Sequence, residues 1–167
     1  MKMTSAQAAK VLRQLNEELA ALRLREENSK SFIASLGEDP DTVRPEYDYE
    51  AIQSAELDLE QKIRRVKHAL NVFNSTTVIP GTGMTIDEML IWLPQLTRRC
   101  AKLSEMRNAL PKVRESSDYR SSIVDYRYAN YDIEKAAADH SRFSEELANA
   151  QTALDLVNNT VEFDIEY

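Results

Sequence analysis

The 167-residue sequence is poor in helix-breaking and chemically reactive residues, with three glycines, five prolines, two histidines and one cysteine. The single cysteine, Cys100, excludes an internal disulfide framework and a cysteine-built zinc site. The sequence has no run of 18 apolar residues, so we expect no membrane-spanning helix. Its start, MKMTSAQAAK, lacks the apolar core of a signal peptide, so we expect a cytoplasmic protein.

Charge is distributed unevenly along the chain. Residues 1–60 carry seven Lys/Arg and 13 Asp/Glu. Residues 61–114 carry ten Lys/Arg and three Asp/Glu, and residues 115–167 carry four Lys/Arg and 12 Asp/Glu. A basic block therefore lies between two acidic ones. We interpret this as oppositely charged helices lying side by side, within the fold or in an oligomer. The alternative is a basic surface for a nucleic acid or an acidic partner, which a pI of about 5.0 disfavours.

Apolar residues at spacings of three and four predict a first pair of long helices. The first is expected over residues 5–36, beginning at a Thr4–Gln7 capping box and ending at Gly37. The second is expected from the Asp48 cap to about residue 74. Both stripes repeat every seven residues, as in coiled coils, and each has a polar interruption of about one turn. The apolar positions are Ala8, Leu12, Leu15, Leu19, Leu22, Ile33 and Leu36 in the first, and Ile52, Leu59, Ile63, Val66, Leu70 and Phe73 in the second.

A second pair of helices is predicted in the C-terminal half. One is expected to begin at a Thr85–Glu88 capping box and to run toward Leu110, with Pro94 kinking or breaking it. The other is expected over residues 131–158, with His140 on its apolar stripe. Strand-like patterns are short and occupy residues 76–79, 122–128 and 161–165.

These patterns predict an all-α fold of long antiparallel helical hairpins, a coiled-coil-like four-helix bundle with a small accessory β element. We expect a single domain over residues 1–167. Its predicted parts are a hairpin over 5–74, a loop over 75–84, a hairpin over 85–158 with an inserted loop or strand at 111–130, and a C-terminal strand at 160–166.

Motifs that carry catalysis are weak in this sequence. The segment VIPGTGMT at 78–85 imitates a phosphate-binding loop, but Val78 replaces the first glycine and Met84 replaces the lysine that neutralises phosphate. We therefore interpret it as a turn that begins a helix. His140 and Cys100 fit packed positions on helices better than catalytic ones. The sequence predicts no enzyme, no cofactor and no metal site.

Basic residues on the second and third predicted helices form the candidate binding stripe. Its members are Lys62, Arg64, Arg65, Lys67, Arg98, Arg99 and Lys102. If the two helices are antiparallel neighbours, the residues form one surface for a polyanion. The hypothesis of a polyanion-binding surface requires that the arginines are exposed together. The hypothesis of oppositely charged neighbouring helices requires that they are paired with acidic residues of the first and fourth helices.

Three segments resemble a family of small bacterial proteins of no established activity, some of which carry the name septicolysin. They are LRQLNEELAALRLR, then IRRVKHALNVFNSTT followed by a glycine-containing loop and TIDEML, and finally LDLVNNTVEFD. Where this family has an Arg-Asp pair after TIDEML, the sequence reads IWLPQL. The resemblance implies a helical, coiled-coil-like fold. Its toxin-like name is not carried over, since no segment looks membrane-inserting.

The sequence as a whole predicts a non-catalytic interaction or scaffold protein. It is expected to act by self-association as a homo-oligomer and by binding another protein, without a membrane. The oligomer is expected because the apolar stripes exceed what four helices of one chain need. The alternative is a regulatory nucleic-acid-binding protein, of the defence or toxin–antitoxin type, that uses the basic stripe.

Overall fold

A computed structural model describes residues 1–115 and 124–167, which form five helices and four short strands. The helices are α1 (Ser5–Ser29), α2 (Pro40–Val43), α3 (Tyr49–Thr76), α4 (Ile86–Arg107) and α5 (Ile133–Thr160), and the strands are β1 (Lys2–Thr4), β2 (Lys112–Arg114), β3 (Tyr126–Tyr128) and β4 (Glu162–Asp164). The predicted all-α class with a small β element is confirmed. Two compact units are present, Met1–Thr76 with Leu156–Tyr167 and Thr77–Asp155, which we call the first and the second unit.

An antiparallel pair of helices, α1 and α3, builds the first unit. Their direction follows from side-chain pairing, since Arg23 pairs with Glu60 whereas Glu26, further along α1, pairs with the earlier residue Gln53. Each helix buries one narrow stripe against the other, as the heptad spacing predicts. The main core comprises Met3, Ala8, Leu15, Leu19, Ile63, Val66 and Ile165.

The two ends of the chain close this core. β1 pairs antiparallel with β4, with Met3 opposite Phe163, and the N-terminal amino group donates to the Ile165 carbonyl at 3.0 Å. Phe163 stacks on Phe73 of α3, with ring centroids 4.3 Å apart. The predicted C-terminal strand is therefore present. Its partner β1 was not predicted, because a strand of three residues is too short to show a recognisable alternation of apolar and polar residues.

The first helix is shorter than the sequence predicts. α1 ends at Ser29 rather than at Leu36, and Ile33 and Leu36 lie in the following loop. The opposing helix explains the difference, because α3 begins only at Tyr49 and its first turns face Glu26. A longer α1 would have no partner surface, and a helix without tertiary packing is only marginally stable in water.

The second unit contains α4 and most of α5, which also run antiparallel. Ser144 lies beside Cys100, whereas the later residue Arg107 bonds the earlier residue His140. α4 starts at the predicted Thr85 capping box and ends at Arg107, just short of Leu110. It continues through Pro94, so the proline does not break it.

Short β elements complete the second unit. β2 pairs antiparallel with β3, within the predicted insertion at 111–130, of which residues 116–123 lie outside the described part. The predicted strand at 76–79 is wrong, since Thr76 ends α3 and Val78 forms only an isolated bridge with Thr85. No helix in the described ranges is both long and apolar enough to span a bilayer.

Candidate interaction surfaces

The first part of the predicted stripe lies on α3, in the first unit. Lys62 Nζ lies 2.7 Å from the Asp58 carboxylate one turn earlier, and this hydrogen bond raises the pKa of Lys62. Arg64, Arg65 and Lys67 are exposed, and none of them forms an ion pair with any residue of 1–115 or 124–167. Pairing of these arginines with acidic residues of α1, which one hypothesis required, is therefore not observed among these residues.

Beside this cluster, a groove of about 490 Å³ lies between α1 and α3. Six of its eight lining residues are polar or charged, and the two apolar members, Leu19 and Ile63, are largely covered by the hairpin itself. His68, one of the lining residues, is exposed. The lining residues are Asn16, Leu19, Glu60, Ile63, Arg64, Lys67, His68 and Asn71.

The second part of the predicted stripe lies on α4, in the second unit. Arg98, Arg99 and Lys102 are exposed at a groove of about 480 Å³. The groove also contains Leu103, Met106, Asp139 and Phe143. We call it the α4–α5 groove. The prediction that both basic clusters form one stripe stays a prediction, since they belong to different units.

Aromatic and charged contacts order the α4–α5 groove. The guanidinium groups of Arg99 and Arg142 lie 4.7 and 4.5 Å from the centre of the Phe143 ring. Arg142 also pairs with Asp139 at 3.0 Å, which offsets the one acidic charge of the lining. Arg98, Arg99 and Lys102 have no acidic partner in the described ranges, so the groove combines an apolar wall with uncompensated positive charge.

His140 and Cys100 occupy packed, half-buried positions between α4 and α5. His140 Nδ1 lies 3.0 Å from Arg107 Nη1 and 3.5 Å from Ser144 Oγ. Because arginine only donates, we assign the neutral tautomer in which His140 Nδ1 accepts. Among the described residues, no group of three or more His, Cys, Asp or Glu side chains could hold a metal ion.

The glycine-containing segment at 78–85 is a turn that begins α4. The Ile79 N–H donates to the Met84 carbonyl at 2.8 Å, and Gly81 and Gly83 have φ of 80° and 70°. Only glycine adopts such angles without strain, which explains both residues. Glu88 then accepts from the backbone N–H of Thr85 at 2.7 Å, which lowers the pKa of Glu88.

Sequence reasoning missed a second groove in this unit, of about 430 Å³. Met89 and Trp92 form its apolar side, and Thr82 and Glu146 are among its polar lining residues. The apolar stripe of α4 comprises Met89, Leu93, Leu96, Cys100 and Leu103. Trp92 lies off this stripe, and this offset is the one sequence signal that could have indicated an exposed apolar surface beside α4.

The sequence predicts a polar interruption in each stripe, at Glu26 and Glu56, and in the structure both side chains bond residues of the distal half of the α1–α3 hairpin, residues 20–51. Its helix–helix seam is polar: Arg23 bonds Glu56 and Glu60 at 2.5 and 2.7 Å, and Glu26 accepts from Tyr47 and Gln53 at 3.0 and 2.9 Å. Partial burial, together with the hydrogen bond to Glu26, raises the pKa of Tyr47. All residues of 20–51 are described, and none of them is buried.

Apolar side chains at this end of the hairpin face solvent instead. Ile33 is 93% exposed and Leu36 is fully exposed. In the adjoining turns of α1 and α3, the side chains of Leu24, Tyr49 and Leu57 are also mostly exposed. At this end of the hairpin the apolar side chains are thus divided, since Ile52 of α3 is buried whereas Ile33 and Leu36 face solvent. Exposed apolar surface is one mark of an interaction site.

Comparison with known proteins identifies a shared fold. No protein-family model and no curated protein matches the chain. The crystal structure of a functionally unknown conserved protein from Corynebacterium diphtheriae is similar, with a TM-score of 0.61 and 16% sequence identity. The match covers 98% of this chain and 100% of that chain. At this identity the likeness shows the fold alone.

Proposed function

We propose that this protein is a non-catalytic helical interaction module of the cytoplasm, which acts by self-association and through the same surfaces binds a protein partner. The observation that carries the proposal is the exposure of two large apolar side chains, Ile33 and Leu36, in the loop after α1. Exposing Ile33 and Leu36 forgoes roughly 1.5–3 kcal/mol for each side chain that burial would supply. Association recovers this free energy, whereas an isolated chain does not. Membership of the septicolysin-named family also remains a proposal.

Thin burial within the hairpin supports the same proposal. Of the 25 residues of α1, only four are buried, namely Ser5, Ala8, Leu15 and Leu19. Leu24, near the end of α1, is mostly exposed and therefore stays accessible to a partner surface.

Light scattering on a sizing column at physiological salt tests self-association. The wild-type protein is expected to elute with a mass that is a multiple of the 19.1 kDa chain. The double variant Ile33→Ser/Leu36→Ser is expected to elute as a monomer, because it loses both exposed apolar side chains. Leu110→Ser is the matched control, since Leu110 is also an exposed leucine outside a helix.

Two outcomes would contradict the proposal. A wild-type mass of one chain at every protein concentration would exclude self-association. A Leu36 variant that assembles as well as the wild type, while Leu110→Ser does not, would place the contact elsewhere on the chain.

Binding of nucleic acid is the second candidate function. A specific observation favours it, because six of the seven stripe residues are exposed and lack acidic partners among the described residues, namely Arg64, Arg65, Lys67, Arg98, Arg99 and Lys102. Fluorescence anisotropy of labelled duplex DNA and single-stranded RNA at 50 and 200 mM salt tests it. Real binding would weaken steeply with salt and would be lost in Arg64→Glu/Arg65→Glu. No change in anisotropy at the lower salt concentration would refute it.

A further inference from the structure

The distal half of the hairpin is acidic as well as apolar. Residues 20–51 carry four Lys/Arg and eight Asp/Glu, a net charge of −4. Two copies that met through this same surface would bring like charges together, and like-charge contacts at an interface disfavour a complex. We therefore expect the partner that covers this surface to carry positive charge as well as apolar side chains.

The loop after α1 concentrates both properties in a few residues. We call residues 33–41 the acidic tip. The exposed apolar side chains Ile33 and Leu36 come first, and the exposed acidic residues Glu38, Asp39 and Asp41 follow. Asp41 pairs with Arg44 at 3.0 Å, whereas Glu38 and Asp39 have no cationic partner in the described part of the chain. Along the chain, the acidic tip therefore begins with apolar residues and ends with acidic residues.

The α4–α5 groove has the complementary order. Its apolar lining residues Leu103 and Met106 follow its cationic residues Arg98, Arg99 and Lys102 along α4. These three cations have no acidic partner among the described residues. A docked carboxylate could therefore pair with them without displacing an acidic side chain of the described residues. The same chain therefore carries an acidic, apolar projection and a basic, apolar groove.

The other basic groove fits the acidic tip less well. Between α1 and α3, the apolar lining residues Leu19 and Ile63 are both only 8% exposed, so they offer little surface to an occupant. Each groove also contains one acidic residue that is already paired with an arginine, Glu60 with Arg23 and Asp139 with Arg142, so these carboxylates do not distinguish the two grooves. The α4–α5 groove is the better receptor because its apolar residues Leu103 and Met106 are only half-buried.

We propose that the acidic tip of one copy docks into the α4–α5 groove of a second copy. The inference rests on the self-association proposed above and specifies how it occurs. The contact is heterologous, because two different surfaces of identical chains meet. Contacts of this type build rings when the rotation closes and filaments when it does not. The contact is also expected to weaken with salt, since opposite charges hold it.

Mixing two disabled variants tests this arrangement. The tip variant is Ile33→Ser/Leu36→Ser, and the groove variant is Arg98→Glu/Arg99→Glu. Each is expected to self-associate about 100-fold more weakly than the wild type and to be a monomer alone. An equimolar mixture is expected to form a dimer of twice the chain mass and nothing larger, because one intact tip meets one intact groove.

The matched control reverses the other arginine pair, with Arg64→Glu/Arg65→Glu. It changes the net charge by the same amount and is expected to assemble like the wild type. Because Arg99 contacts Phe143, circular dichroism checks that the groove variant is folded. Lys102→Glu, an exposed change outside that contact, provides a second groove variant with about tenfold weaker association.

Each outcome of light scattering decides a different claim. A folded groove variant that assembles like the wild type would overturn the tip-to-groove contact and leave self-association intact. Two monomeric variants that remain monomers when mixed would also overturn it. A monomeric wild-type protein at every concentration would overturn both this inference and the proposed function.

Discussion

Replacing Ile165 with alanine tests whether the end of the chain stabilises the first unit. Ile165 is 1% exposed and belongs to the same core as Met3, Ala8 and Val66, although β4 and β1 are only three residues each. The substitution removes three carbon atoms from a packed position. Large-to-small changes of this type cost 2–5 kcal/mol through lost transfer free energy and the cavity left behind, so we expect a loss of about 3 kcal/mol.

Urea unfolding followed by circular dichroism at 222 nm measures this loss. Ile91→Ala is the matched control, because it makes the same chemical change at a position that is 58% exposed. We expect the control to change the free energy of unfolding by no more than about 0.5 kcal/mol. Equal effects of the two substitutions would refute the conclusion that the C-terminal residues belong to the core.

Further predictions concern α4 and β4. Pro94→Ala is expected to stabilise the protein by about 1–3 kcal/mol, because it restores an N–H donor inside a continuous helix; a loss in a urea titration would show that the proline is needed there. Glu88 has a lowered pKa in the folded state, so its stabilisation is present above about pH 4.5 and is lost as the pH falls through the folded pKa. The stability difference between wild type and Glu88→Gln should therefore shrink between pH 6 and pH 3, and a constant difference would contradict the capping role. Phe163→Ala is expected to cost about 3 kcal/mol by removing the ring that stacks on Phe73, and an unchanged urea midpoint would exclude that contact.

Local signals were sufficient to predict where helices begin. Thr4 with Gln7 and Thr85 with Glu88 form both hydrogen bonds of a capping box, as their spacing indicates. Asp48 accepts from the Ala51 N–H at 3.0 Å, close to the predicted start of α3. These features depend on residues three apart, so the sequence alone specifies them.

Helix ends and short strands depend on partners that are distant in sequence. Ile33 and Leu36 continue the spacing of α1, but the helix stops earlier because α3 offers no surface opposite them. β1 forms only because β4, more than 150 residues later, pairs with it. Periodicity identifies a surface that can pack, and the partner decides whether it does.

The candidate interaction surfaces were predictable only in part. The sequence identified the basic residues of α3 and α4, yet their exposure depends on where the acidic residues lie. In the hairpin, Glu56 and Glu60 are bonded to Arg23 and not to the arginines at 64 and 65. Likewise, Ile33 and Leu36 were predicted to lie on the apolar stripe of the first helix, because heptad spacing does not distinguish a buried stripe from an unpaired one.

The mass of the unmodified protein in solution, measured by light scattering over a dilution series, tests the central claim most directly. Self-association predicts a mass above 19.1 kDa at high protein concentration that falls toward the single-chain mass on dilution and in high salt. A mass of 19.1 kDa at every concentration and at low salt would contradict the account.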